Sequence, residues 1–357
     1  MGNADDAPLL VTLRRDVERS LLRARNGLKY LAGLDRPTVG ATPKDMVWQR
    51  GKTRLWRYRS DDVRYAPPVV LVHSLISRSY ILDLRPGNSL VEFLRGRGFD
   101  VFLVDWGVPD ETDAANTLET YVDQHLPAAI EQVVAVSGRE AVTLVGYCLG
   151  GILAALAVAG HADLPVRNLA TIAAPVDFDR FGGMFALFRS GRLDPRDVID
   201  DSGNVPPEVL LNFFRVLKPT MPLVNYANLW QNLWNDEFLD GYQAMGQWTH
   251  DHIPFPGRCF EQVVDLFSHR NVLVEGVVPL GGRRVSLAEV TCPVLSVVAE
   301  RDHIVPVEAG APLAAVTGST DVEEVRIPAG HVALMAGRQA AKVTHPRISD
   351  WLERHSS

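Results

Sequence analysis

The chain is 357 residues long, 46% hydrophobic and 22% charged, a balance that excludes a disordered protein and suits one large domain with an insertion, or two small ones. A formal net charge of −7, with no Lys/Arg stripe beyond the N-terminal helix, argues against a nucleic-acid binder and leaves anionic substrates to local arginines. Three cysteines, Cys148, Cys259 and Cys292, are too few for a disulfide framework, and the odd count points to free thiols in a reducing, cytoplasmic setting.

The opening MGNADDAPLLVTLRRDVERS has an early acidic pair and no apolar core of signal-peptide type. No stretch approaches the roughly eighteen apolar residues of a transmembrane helix, and Asp6 stands where N-myristoylation wants Ser or Thr. Leu10, Leu13, Val17 and Leu21 recur at helical spacing among Arg14, Arg15, Arg19, Arg23 and Arg25, which predicts an amphipathic helix over residues 9–31. Its basic face is expected to be solvated or, on a sharper reading, to receive an acidic helical partner or an acyl-coated surface. A Pro/Gly/Thr linker, RPTVGATPKD, leads to the alternating strand RLWRYRS and then to PPVVLVHSL, whose apolar run predicts a buried strand.

SLVEFLRGRG reads as a helix closed by Gly98, and FDVFLVDWG as a second buried strand, so strand, helix and strand follow at parallel-sheet spacing. LETYVDQHLPAAIEQVVAVSG continues with a helix, AVTLVGY with a strand, CLGGILAALAVAG with a helix, and LATIAAP, Leu169 to Pro175, with a strand. The grammar predicts a mostly parallel, doubly wound α/β sheet. It breaks over residues 176–275 into aromatic-rich pieces such as FGGMFALFRSG and NLWQNLWNDEFLDGYQAMGQWTHDHIPFPG, which predict an inserted lid. The aromatics there, including Phe213, Phe214, Trp230, Trp234 and Trp248, are expected to be mostly core, with some covering substrate or packing between subunits. Strands resume with CPVLSVVAE and DVEEVRIPAGH, and the helix AAKVTHPRISDWLERH follows. The expected organisation is 1–60 for the helix and leading strand, 61–175 and 276–357 for the two parts of the α/β core, and 176–275 for the lid.

Gly146, Tyr147, Cys148, Leu149 and Gly150 match the small-x-nucleophile-x-small elbow of the α/β-hydrolase fold, with the required strand before and helix after. A cysteine stands where that elbow usually carries serine. In this fold an acid and a histidine follow the nucleophile, each after a late strand; CPVLSVVAERDHIVP delivers Asp302, and VEEVRIPAGHVAL delivers His331. His303 is the rival histidine, but it adjoins Asp302 in sequence and two neighbours cannot easily serve as orienter and base. His73, His161, His250, His252 and His269 have no comparable placement. One oxyanion-hole N–H is expected from Leu149, and the other from the loop HSLISRSY, at Leu75 or Ile76. No His/Cys/Asp spacing suggests a metal site.

A thiol at the elbow exchanges one thioester for another at little cost in free energy and leaves the acyl group activated for transfer to a hydroxyl. LKYLAG, TPKDMVWQRGKTRLWRYRS, SRSYILDLRPGNSLVEFLRGRGFDVFLVDWGVPD, GYCLGG, RDHIVP and AGHVAL together resemble the polyhydroxyalkanoate synthase catalytic subunits of the short type that works with a second subunit. The likeness runs from about residue 28 onward, without the long N-terminal domain of the larger synthases; Ser77 departs from the Asn more common there, and the lid matches only around WTHDHIPFPG. It places the family's nucleophile, acid and base on Cys148, Asp302 and His331. It implies polymerisation of (R)-3-hydroxyacyl-coenzyme A with release of coenzyme A and no further cofactor, in a cytoplasmic homodimer that needs a non-catalytic partner and settles on polymer granules. A cysteine hydrolase, whether esterase, thioesterase or depolymerase, is the alternative with the same elbow, acid and histidine.

Overall fold

The apolar runs form the centre of an eight-stranded sheet in a computed structural model that describes residues 6–33, 37–60, 62–217, 221–337 and 339–356. In chain order its strands are β1 Asp45–Arg50, β2 Thr53–Tyr58, β3 Val69–Val72, β4 Val101–Asp105, β5 Val142–Tyr147, β6 Val166–Ile172, β7 Val294–Ala299 and β8 Val322–Ile327. Their spatial order is β1-β2-β4-β3-β5-β6-β7-β8, antiparallel at β1–β2 and β2–β4 and parallel elsewhere. Side chains alternate between two cores. Val70 and Val72 pack with Leu126, Ile130, Ile152 and Leu156 on one face. Val69 and Leu71 pack with Leu90, Leu94, Ile348 and Trp351 on the other. Helices on both faces explain why β3 and β5 are buried along their whole length.

Local chemistry sets the element ends. Ser89 accepts the Glu92 N–H at the start of the helix Leu90–Arg97, and Gly98, at φ 99°, closes it in the left-handed conformation. Three departures from the sequence reading have structural causes. DMVWQR forms the edge strand β1, joined to β2 by a two-residue turn at Gly51 and Lys52, where only a linker and one strand were expected. β6 begins at Val166, paired with Val142, and ends at Ile172 because Ala173 turns to φ 49°. VVPL and RRVS, separated by two glycines at positive φ, make an unanticipated hairpin before β7.

Between β6 and β7 the chain runs through the helices Gly183–Arg189, Pro207–Leu217, Met221–Asn232, Asp236–His250 and Gly257–Gln262. The N-terminal helix, Asp6–Ala32, docks on this region. Arg25 donates to both carboxylate oxygens of Asp236 at 2.8 and 2.9 Å, and the Asn26 amide donates to the Leu233 carbonyl at 2.8 Å and to Asp236 at 2.7 Å. Arg19 stacks over Trp234. The expectation of a solvated basic face is therefore reversed for these residues, whose polar side of the helix is the docked one. The side chains of Leu10 and Leu13 lie outside the described residues. Among the described residues no helix is long and apolar enough to cross a membrane.

Candidate active site

β5 feeds its six buried residues straight into a sharp turn, and Cys148 takes φ 55° and ψ −129°, a conformation that L-residues avoid. The turn is held by the Cys148 N–H donating to the Ile172 carbonyl at 2.8 Å and the Gly151 N–H donating to the Cys148 carbonyl at 2.9 Å. Its glycines are needed for space: a Cβ on Gly146 would collide with the Gly151 Cα, and one on Gly150 with the carbonyls of Val72 and His73. The elbow thus lies directly against the end of β3, and Cys148 is left half-buried at the mouth of the helix Leu149–Gly160.

Asp302 and His331 arrive from the ends of β7 and β8. The Ile304 and Val305 N–H groups each donate to Asp302 Oδ1 at 2.8 Å, which fixes the carboxylate from its own loop. Its other oxygen accepts from His331 Nδ1 at 2.7 Å, in a pair almost closed to solvent. That bond assigns the proton to Nδ1 and leaves Nε2 for the Cys148 thiol, with which His331 also hydrogen-bonds. Burial opposes a charge on His331, but the Asp302 carboxylate and the Cys148 sulfur overcome it and raise the imidazole to about 10.

Residues 75 and 76 form a turn immediately above the elbow. Leu149 is the first residue of its helix, so its N–H has no intrahelical acceptor. His73 is fully buried; its carbonyl accepts from Trp106 Nε1 at 2.9 Å, and burial lowers the ring to about 4, which keeps it neutral. It braces this loop. The loop's far end is tied to the inserted helices, with Trp248 Nε1 donating to the Arg78 carbonyl at 3.1 Å and the Tyr80 hydroxyl donating to Asp251 at 2.6 Å.

The rival groups are elsewhere. His303 is exposed. His161 pairs with Asp123 at 2.9 Å, while His250, His252 and His269 donate to backbone carbonyls. Burial, with the Glu119 charge, raises Cys259 well above its ordinary value, and burial pushes Cys292 up to about 11. Among the described residues, no group of three or more His, Cys, Asp or Glu could hold a metal ion.

Tyr147, Trp106, Trp248 and Tyr80 were not singled out for the site from sequence. Tyr147 packs its ring 5.2 Å from that of His331 and donates its hydroxyl to the His331 carbonyl at 3.4 Å. Only its place beside the nucleophile could have flagged it.

Residues 67–337 match the family described as the alpha/beta hydrolase fold. The chain is 33% identical over 330 residues to the poly(3-hydroxyalkanoate) polymerase subunit PhaC of Allochromatium vinosum, covering 91% of this chain and 92% of that one. It is 34% identical to the subunit of the same name from Haloferax mediterranei, spanning 89% of this chain and 65% of that longer one. Among solved structures, the monoacylglycerol lipase of Paleococcus ferrophilus superposes with a TM-score of 0.50 at 20% identity, over 85% of this chain and 99% of the lipase, a likeness of fold alone.

Proposed function

The chain belongs to the poly(3-hydroxyalkanoate) polymerase subunit PhaC family, built on the α/β-hydrolase fold, and from that premise we propose that it polymerises (R)-3-hydroxyacyl-coenzyme A through an acyl thioester on Cys148. The observation that carries this reading is His331 bridging a backbone-anchored Asp302 and the elbow thiol.

Cys148 Sγ passes its proton to His331 Nε2 and attacks the thioester carbonyl. The imidazolium so formed is held by Asp302, and the oxyanion is received by the Leu149 N–H and that of Leu75 or Ile76. The C–S bond to coenzyme A breaks, the departing thiolate takes the proton from His331, and acyl-Cys148 remains. His331 then removes the proton from the 3-hydroxyl of a second acyl unit, whose oxygen attacks acyl-Cys148. An oxoester forms and the Cys148 sulfur is released to accept the proton back. Water has to be kept from the acyl-enzyme for this outcome, which gives the aromatic insertion over the sheet edge its use.

The working unit is a homodimer joined by a second, non-catalytic subunit and gathered on cytoplasmic polymer granules; sedimentation and assays with and without the co-encoded partner test that assembly. Incubation with 3-hydroxybutyryl-coenzyme A tests the chemistry. Insoluble polymer with stoichiometric coenzyme A supports the proposal. Soluble hydroxyacid makes the protein a cysteine hydrolase, and failure to release coenzyme A overturns both.

A further inference from the structure

On the N-terminal helix, residues 14, 17, 21, 24, 28 and 31 alternate by three and four, which is the a/d spacing of a heptad repeat. Four of them are apolar and project into solvent, with Val17 57%, Leu21 67%, Leu28 71% and Leu31 83% exposed. Ala24 and Arg14 complete the row and are exposed as well. The opposite side, with Arg19, Arg23 and buried Asn26, is the one held against the inserted helices. A helix that docks through polar side chains and turns its leucines outward is the reverse of the usual surface helix.

We propose that this row is a coiled-coil seam for an acidic amphipathic helix of a partner protein. A seam of two positions per heptad fits the knobs of one facing helix, and it is narrower than the apolar face with which a helix lies in a lipid or polymer surface. Charge chooses the partner's sign. Residues 6–33 carry six Lys and Arg against three Asp and Glu, net +3 on a chain of net −7, so a second copy of the same helix is repelled and an acid-flanked one attracted. The inference rests on the two-subunit reading for the partner's presence, and gives that partner a surface and a chemistry.

The test uses the full chain and a probe peptide of four heptads with Ile and Leu at a and d and Glu at e and g, beside its Lys-flanked and scrambled counterparts. Fluorescence anisotropy is expected to show saturable binding of the Glu-flanked peptide, at least tenfold tighter than the other two and weakened by salt. The double variant Leu21→Glu, Leu28→Glu should lose at least tenfold of that affinity while its coenzyme A release without peptide stays unchanged. Equal binding of the three peptides, or undiminished binding by the double variant, overturns the proposal. So does a wild-type dimer that falls apart in the double variant, which would assign the seam to a second copy. Leucine-dependent retention on phosphatidylglycerol/phosphatidylcholine vesicles without peptide binding overturns it in favour of a surface anchor. Coenzyme A release is scored separately, so loss of the acyl-transfer reading and loss of the seam are distinguishable.

Discussion

Cys148 sits at φ 55° in a region that glycine alone occupies freely, which costs a side-chain-bearing residue about 1–3 kcal/mol. Cys148→Ala is expected to abolish coenzyme A release and leave the fold intact. Cys148→Gly should be equally inactive yet more stable than the Ala variant by about 1 kcal/mol, even after the ~0.5–1 kcal/mol that glycine's unfolded-state entropy takes back. Urea midpoints decide this, and a less stable Gly variant would show that the turn is not strained. The histidine has its own signature in pH. The folded state raises His331 to about 10, above the ordinary ~6.5 of an unfolded histidine, so the stabilisation is fully present below the lower value and is lost as pH rises through the upper one. The stability gap between wild type and Asp302→Asn should therefore be widest near pH 6 and narrow toward pH 10. A gap that widens with pH contradicts the assigned pairing.

At the scale of elements, the elbow was legible because its strand, turn and helix each carry a local signal: a β-branched run, a glycine-flanked nucleophile and an alanine-rich helix. β1 was not legible, since Asp45, Gln49 and Arg50 on an open sheet edge obscure the alternation. The start of β6 was set by pairing with β5 and not by its own apolar run. Asp302 and His331 could be read from their positions after late strands, whereas the bracing of the oxyanion loop by Trp106 and Trp248 joins residues far apart in sequence and leaves no local pattern. Trp248→Phe tests that bracing by keeping the ring and removing the donor to the Arg78 carbonyl. A single hydrogen bond of ~1 kcal/mol predicts a fall in kcat of about fivefold with KM little changed. A rise in KM alone would place Trp248 in substrate binding.

In the whole molecule, the helix Asp236–His250 joins two places that the chain otherwise keeps apart. Its first residue is gripped by Arg25 and Asn26 of the N-terminal helix, and its last turn and the residue beyond it grip Arg78 and Tyr80. At 1.5 Å per residue its fifteen residues make a rod of about 22 Å. Asp236→Ala cuts the near tie, and is expected to quicken amide exchange over residues 14–33 and also at Leu75, Ile76 and Ser77, read by mass spectrometry. Exchange that quickens only in the N-terminal helix would mean that the two ends move independently. With both ends responding, the rod works as a lever: a load hung on the outer helix is felt as tension in the loop over the nucleophile, and the thiol's readiness to react becomes something a distant hand can set.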